Sequence, residues 1–125
     1  MKKKILIVDD EPDILRTIAI MFEDEGYDVI TAKSGEEAIE MAYSDKPDLI
    51  ILDMVLPGKN GKEVLAELKN DTSCAKVPVI LITAQTQKSY VASLRDSGAD
   101  FYMAKPFDIY ELRDKVKELL SDGKE

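Results

Sequence analysis

Residues 49–53, Leu49-Ile50-Ile51-Leu52-Asp53, are four consecutive apolar side chains closed by a carboxylate. A strand with one wet face alternates apolar and polar residues, whereas an unbroken run of this length belongs to a strand covered on both sides. The same pattern occurs in Ile5-Leu6-Ile7-Val8, followed by Asp9-Asp10, and in Val79-Ile80-Leu81-Ile82, followed by Thr83. Two weaker segments complete the set: residues 29–31, short and mixed, and residues 101–104, Phe101-Tyr102-Met103-Ala104.

Between these segments the apolar spacing turns helical, as in Ile14, Leu15, Ile18, Ala19 and Phe22, or Leu112, Val116, Leu119 and Leu120. Helix starts are marked by Pro12, by the capping-box spacings Ser34/Glu37 and Asn60/Glu63, and by Asp108/Glu111 flanked by Phe107 and Leu112 as a hydrophobic staple. Gly26 and Gly98 sit where the first and fourth helices should stop. Five strand–helix repeats predict a single α/β domain, a (βα)5 doubly wound parallel sheet with right-handed crossovers and helices on both faces. The flavodoxin-like strand order 2-1-3-4-5 is expected, with residues 29–31 at an edge. The domain is expected to span residues 1–121, with 122–125 as a tail.

Charge and composition narrow the chemistry. The chain has 125 residues, 17 basic against 25 acidic side chains, a net charge of −8 and no histidine. Without imidazole, any catalysis rests on carboxylates, hydroxyls, lysine or the backbone. The acidic balance lacks the basic footprint that nucleic acid requires, so no direct nucleic-acid partner is expected. Cys74 stands alone and is read as a small side chain in a loop, and the absence of a cysteine framework agrees with a reducing compartment. Lys2-Lys3-Lys4 before Ile5 resembles the start of a signal peptide, but Asp9 and Asp10 end the apolar run too early, and no run reaches membrane-spanning length. A cytoplasmic protein without membrane insertion is expected.

In a parallel sheet the carboxyl ends of all strands share one edge, where ligands bind. The chain leaves its strands through Asp9, Asp10, Asp53, Thr83 and Lys105, and all five are thereby brought to that edge. Taken singly, an aspartate there is often a turn former, Thr83 a β-branched strand residue and Lys105 a solvated charge. Their convergence has no such explanation. Carboxylates about 5 Å apart at an effective dielectric near 20 repel by ~3 kcal/mol per pair, so the cluster calls for a cation. Oxygen-only ligation at a wet edge favours magnesium. An EF-hand fails on spacing, because the required glycine and glutamate would fall on Ile14 and Ile20. A hard cation, an ammonium and a hydroxyl around a central carboxylate suit phosphoryl transfer, with Asp53 as nucleophile and an aspartyl phosphate as product.

Val8-Asp9-Asp10-Glu11, Leu52-Asp53-Met54-Val55-Leu56-Pro57-Gly58 with Gly61, Thr83-Ala84, and Ala104-Lys105-Pro106-Phe107 resemble, in order and spacing, the signature segments of two-component response-regulator receiver domains of the chemotaxis-regulator type. The resemblance covers about residues 4 to 120. It implies that Asp53 receives a phosphoryl group from a sensor histidine kinase or histidine phosphotransfer protein in a Mg2+-dependent reaction. It implies direct metal ligation by Asp10, Asp53 and the Val55 backbone carbonyl, with Asp9 acting mainly through water. Lys105 would contact the phosphoryl group and precede a cis peptide to Pro106. Thr83 and Tyr102 match the family's switch pair, which would alter the surface built by the fourth helix, the fifth strand and the C-terminal helix. Tyr102 also reads simply as an aromatic in an edge strand.

The resemblance places the histidine donor on helix one near Ile14, Leu15 and Ile18, of which at least two are expected in the core. Val55 and Gln85 lie where receivers vary and where aspartyl-phosphate lifetime is tuned, and the small Ala84 leaves access to Asp53. Met41, Met54 and Met103 read as packing groups. Two rivals are weaker. A flavin site conflicts with the acidic loop Asp9-Asp10-Glu11-Pro12-Asp13, and an aspartate-nucleophile phosphatase is poorly matched by Glu11 as general acid. The downstream target, or a fused output domain, is not legible in these residues.

Overall fold

The three unbroken apolar runs become the three inner strands of a five-stranded parallel sheet. The computed structural model describes residues 2–83 and 98–121. Its strands are β1 (Lys4–Val8), β2 (Asp28–Ala32), β3 (Leu49–Asp53), β4 (Val79–Thr83) and β5 (Phe101–Ala104). They lie in the order β2-β1-β3-β4-β5. Every residue of β3 and β4 is buried, whereas β2 is mixed and forms an edge, as its composition predicts. Asp53 and Thr83 belong to their strands rather than following them, because the ladder continues through Asp53 opposite Ile82 and Thr83 opposite Ala104.

The described helices are α1 (Pro12–Asp24), α2 (Gly35–Asp45), α3 (Gly61–Asn70) and the C-terminal α4 (Ile109–Ser121). They divide the core between the two faces of the sheet. Leu6, Leu52 and Leu81 point towards Ala38, Ile39, Val64 and Leu65 of α2 and α3. Ile7, Ile51 and Ile80 alternate to the other face, against Leu15, Ile18 and Phe22 of α1 and Leu112 and Val116 of α4. Truncating any of the fully buried strand residues to alanine is expected to cost roughly 2–5 kcal/mol.

The caps follow the sequence signals with two adjustments. Asn60 and Glu63 form the reciprocal capping box. At α2, Ser34 Oγ accepts the Glu37 N–H, but the Glu37 carboxylate accepts from Lys33 N–H rather than from Ser34 N–H. At α4 the Asp108 carboxylate accepts from Tyr110 N–H, one residue earlier than the Glu111 spacing suggests, while Phe107 packs on the same cluster as Leu112. Gly26 stops α1 with φ +98°, its N–H on the Glu23 carbonyl. The predicted fourth helix, Ala84, Gln85 and the tail at 122–125 lie outside the described residues. No helix among the described residues is long and apolar enough to cross a membrane.

Candidate functional site

Parallel register carries the carboxyl ends of β1, β3, β4 and β5 to one edge. Val8 pairs with Leu52, so Asp9 emerges beside Asp53, and Thr83 pairs with Ala104, so Lys105 follows on the far side. Asp9 and Asp53 are buried, each 4% exposed, while Asp10 is exposed. The three offer carboxylate oxygens that all lie within 4.8 Å of one another. Lys105 Nζ stands 2.9 Å from Asp53 Oδ2 and 3.6 Å from Asp9 Oδ2. The peptide bond from Lys105 to Pro106 is cis, as the resemblance implies.

The remaining oxygens of the two buried acids are braced by main chain. Asp9 Oδ1 accepts the Glu11 N–H at 2.9 Å, and Asp53 Oδ1 accepts the Val55 N–H at 3.2 Å. Both bonds run from a carboxylate to the amide two residues on, so turn formation and site formation use the same side chains. The sequence signal for these braces is therefore the aspartate itself, although reading turn and site as alternatives hides it.

Burial pushes the Asp9 carboxyl up, and the neighbouring Asp53 charge adds to this, against the opposing pull of the Glu11 amide and Lys105. Burial works against the Lys105 ammonium, yet its hydrogen bond to Asp53 and the charges of Asp53, Asp9 and Glu11 outweigh it and hold the group above the ordinary lysine range. Three carboxylates and one ammonium sum to −3 + 1 = −2 at this edge. A divalent ion balances that charge, and an all-oxygen donor set suits a hard cation such as magnesium.

A family model described as the response regulator receiver domain matches residues 5–117. The chain belongs to that family. This receiver domain is 42% identical, over 96% of its length, to the alkaline phosphatase synthesis transcriptional regulatory protein of Bacillus subtilis. It spans about half of that relative, 49%. A Francisella response-regulator receiver domain superposes with a TM-score of 0.91 at 31% identity, covering 96% of this chain and 98% of the other. A chemotaxis response regulator of Vibrio cholerae gives 0.89 at 27% identity, over 95% and 99% of the two chains. The site and the comparisons contain nothing that favours the aspartate-phosphatase alternative.

The other expected residues of the receiver domain fall around the acidic edge. Thr83 ends β4, buried, with its N–H-to-carbonyl ladder extended by Lys105 N–H onto the Thr83 carbonyl at 2.7 Å. Tyr102 pairs with Leu81, two residues before Thr83, so Thr83 and Tyr102 share the α2/α3 face of the sheet. Tyr102 is half-buried against that cluster. The Val55 side chain stands 69% exposed at the rim.

Leu15 and Ile18 are buried and Ile14 half-buried, in keeping with the expected division between core and surface. A groove of about 530 Å³ runs from Ile14 and Thr17 to Lys105 and Phe107, joining that side of α1 to the site. Met54 and Met103 are buried and Met41 packs against the α2/α3 cluster, which fits their reading as packing groups. Cys74 is also buried, and burial pushes its thiol up.

Proposed function

We propose that this receiver domain, read as residues 1–121, accepts a phosphoryl group on Asp53. The observation that carries the reading is the Lys105 ammonium 2.9 Å from Asp53 Oδ2, beside three convergent carboxylates. The donor is a phosphohistidine on a sensor histidine kinase or a histidine phosphotransfer protein. An Asp53 oxygen forms the new bond to phosphorus, the P–N bond breaks, and the imidazole leaves with that electron pair. Lys105 neutralises developing charge on the phosphoryl oxygens, and the Thr83 hydroxyl donates a hydrogen bond to them.

Asp10, Asp53 and the Val55 carbonyl would hold a magnesium ion directly, with Asp9 acting through water. When bound, the ion supplies charge neutralisation to the transferred group. The new group carries roughly −1.5 to −2 charge and draws Thr83 and Lys105 inward, with Tyr102 as the reporting aromatic. The domain thus promotes its own phosphorylation and dephosphorylation as a signalling module in the cytoplasm rather than as a multiple-turnover enzyme. Its output passes through the surface that the resemblance assigns to the predicted fourth helix, β5 and α4, to a downstream protein target or a fused output domain.

Incubation with a small acyl phosphate and Mg2+ tests this. One acid-stable, base-labile phosphoryl group is expected per chain, lost in Asp53→Asn. Retained labelling in that variant would place the nucleophile elsewhere.

A further inference from the structure

Helix α2 opens on Gly35, a buried residue directly after the Ser34 cap. A Cβ built there would fall well inside contact distance of the Lys59 carbonyl oxygen, 2.8 Å from Lys59 Cβ and 2.9 Å from Val64 Cγ2. The first turn of α2 therefore lies main chain against main chain on Lys59, a contact that no side-chain rotation can relieve. Backbone conformation does not demand glycine here, since the positive-φ glycines are Gly26, Gly58 and Gly98. Helix propensity does not demand it either, because alanine is the better helix former. The close approach is what accounts for the residue.

Lys59 belongs to the loop between β3 and α3, residues 54–60, which carries Val55. The two stems of this loop touch: Gly61 N–H donates to the Met54 carbonyl at 2.8 Å, and a Cβ on Gly61 would sit 2.7 Å from Met54 Cα. Met54 and Leu56 plug into the cluster that holds Ala38 and Ile39 of α2. Glu36, next after Gly35, lays its carboxylate over Gly58, whose φ is +72°. The contacts of Gly35 and Glu36 thus bear on the limb of the loop that returns to α3, while its other limb presents the Val55 amide to Asp53 Oδ1.

We infer that Gly35 is a positioning residue: the bare first turn of α2 seats the 54–60 loop and so sets where the Val55 main chain stands relative to Asp53. Gly35 acts through Lys59 and touches no reacting atom. The inference rests on the reading of Asp53 and the Val55 carbonyl as cation and phosphoryl ligands.

The test is Gly35→Ala, made alone and with Val64→Ala, which removes the overlap with Val64 Cγ2 and leaves the one with Lys59. Val64→Ala alone is the control. In the metal-free protein the Val55 amide resonance should shift in both Gly35 variants and stay near wild type in the control. By calorimetry the Mg2+ dissociation constant should rise on the order of 10-fold, as for outer residues that orient metal ligands. Should Gly35→Ala alone fail to fold, the double variant decides. A folded Gly35 variant with a wild-type Val55 amide and wild-type Mg2+ affinity overturns the inference. Failure of wild-type Asp53 to accept phosphate from the small donor would overturn the parent reading instead, while the Val55 amide would still report on the seat.

Discussion

The Lys105 ammonium sits 2.9 Å from Asp53 Oδ2, across 52 residues of chain, and 3.6 Å from Asp9 Oδ2. One cation thereby relieves two buried carboxylates in the metal-free protein. Replacing it with an isosteric apolar chain, Lys105→Met, removes that cation and leaves in place the main-chain donors of Glu11 and Val55. A loss of about 1–3 kcal/mol is expected, below the range for a fully buried pair because Lys105 retains some exposure. Its raised pKa means this contribution is present below the ordinary lysine value and is lost only as pH rises through the folded value, so the deficit should be constant across neutral pH. Urea denaturation with a chelator present measures it. An unchanged midpoint would mean that water, not Lys105, relieves the acids.

Asp9 carries the opposite sign. Its folded carboxyl is raised, chiefly by burial and then by Asp53, so the native state holds its proton more tightly than the unfolded chain. Metal-free stability should therefore fall as pH rises from the ordinary carboxylate range through the raised value. Asp9→Asn keeps an oxygen for the Glu11 N–H and removes the charge. It should melt higher than wild type at neutral pH and lose that advantage in acid, where Asp9 is protonated in both states. Melting curves across acid and neutral pH, with a chelator, check the slope. Magnesium should narrow the gap by stabilising the wild type more. A variant that melts lower at neutral pH would show that the Asp9 charge stabilises the fold through Lys105.

The fold was readable because its strongest signal, a continuous apolar run, has one physical cause: cover on both faces. Leu49 to Leu52 and Val79 to Ile82 satisfy it completely, and the acids or hydroxyl at their ends must then meet at one edge. What escaped reading depends on three-dimensional approach. Lys69 looks like a solvated helical lysine, yet its Nζ donates to the Ala75 and Val77 carbonyls and lies 3.6 Å from Asp100, whose carboxylate accepts the Val79 N–H. Which of Asp9 and Asp10 would be buried is equally invisible in a dipeptide of identical side chains. The Glu37 carboxylate accepts from Lys33 N–H, and spacing alone does not rank that donor against the Ser34 N–H of a full capping box. Gly35 reads as a poor helix starter until Lys59 is seen against it.

Lys46 closes α2 in the left-handed region, with φ 50° and ψ 64°. An L side chain there is strained by roughly 1–2 kcal/mol, which glycine avoids at some cost in unfolded-chain entropy. Lys46→Gly should therefore stabilise the domain by about 0.5–1 kcal/mol. The position lies at the opposite end of α2 from Gly35, so labelling of Asp53 by a small phosphodonor should be unaffected. Equilibrium unfolding and a labelling time course check the two halves independently, and a destabilised variant would show that the Lys46 side chain makes a contribution larger than the strain.

Val55 offers the most direct handle on signal lifetime, given the reading of Asp53 as phosphoacceptor. Its side chain is 69% exposed at the rim, two residues from Asp53, with its own N–H on Asp53 Oδ1. Hydrolysis of an aspartyl phosphate needs a water held in line with the bond that breaks. An isopropyl group cannot orient that water, whereas a carboxamide at the same place can both donate and accept. One such hydrogen bond, worth about 1 kcal/mol in the transition state, corresponds to roughly fivefold in rate. Val55→Asn should therefore lose its phosphoryl group about fivefold faster than wild type in a single-turnover decay, with folding little changed because the position is solvated. The decay should be followed after removing excess donor, so that rephosphorylation does not mask it. Decay that is unchanged or slower in Val55→Asn would mean that water reaches the phosphoryl group by a route that Val55 does not control.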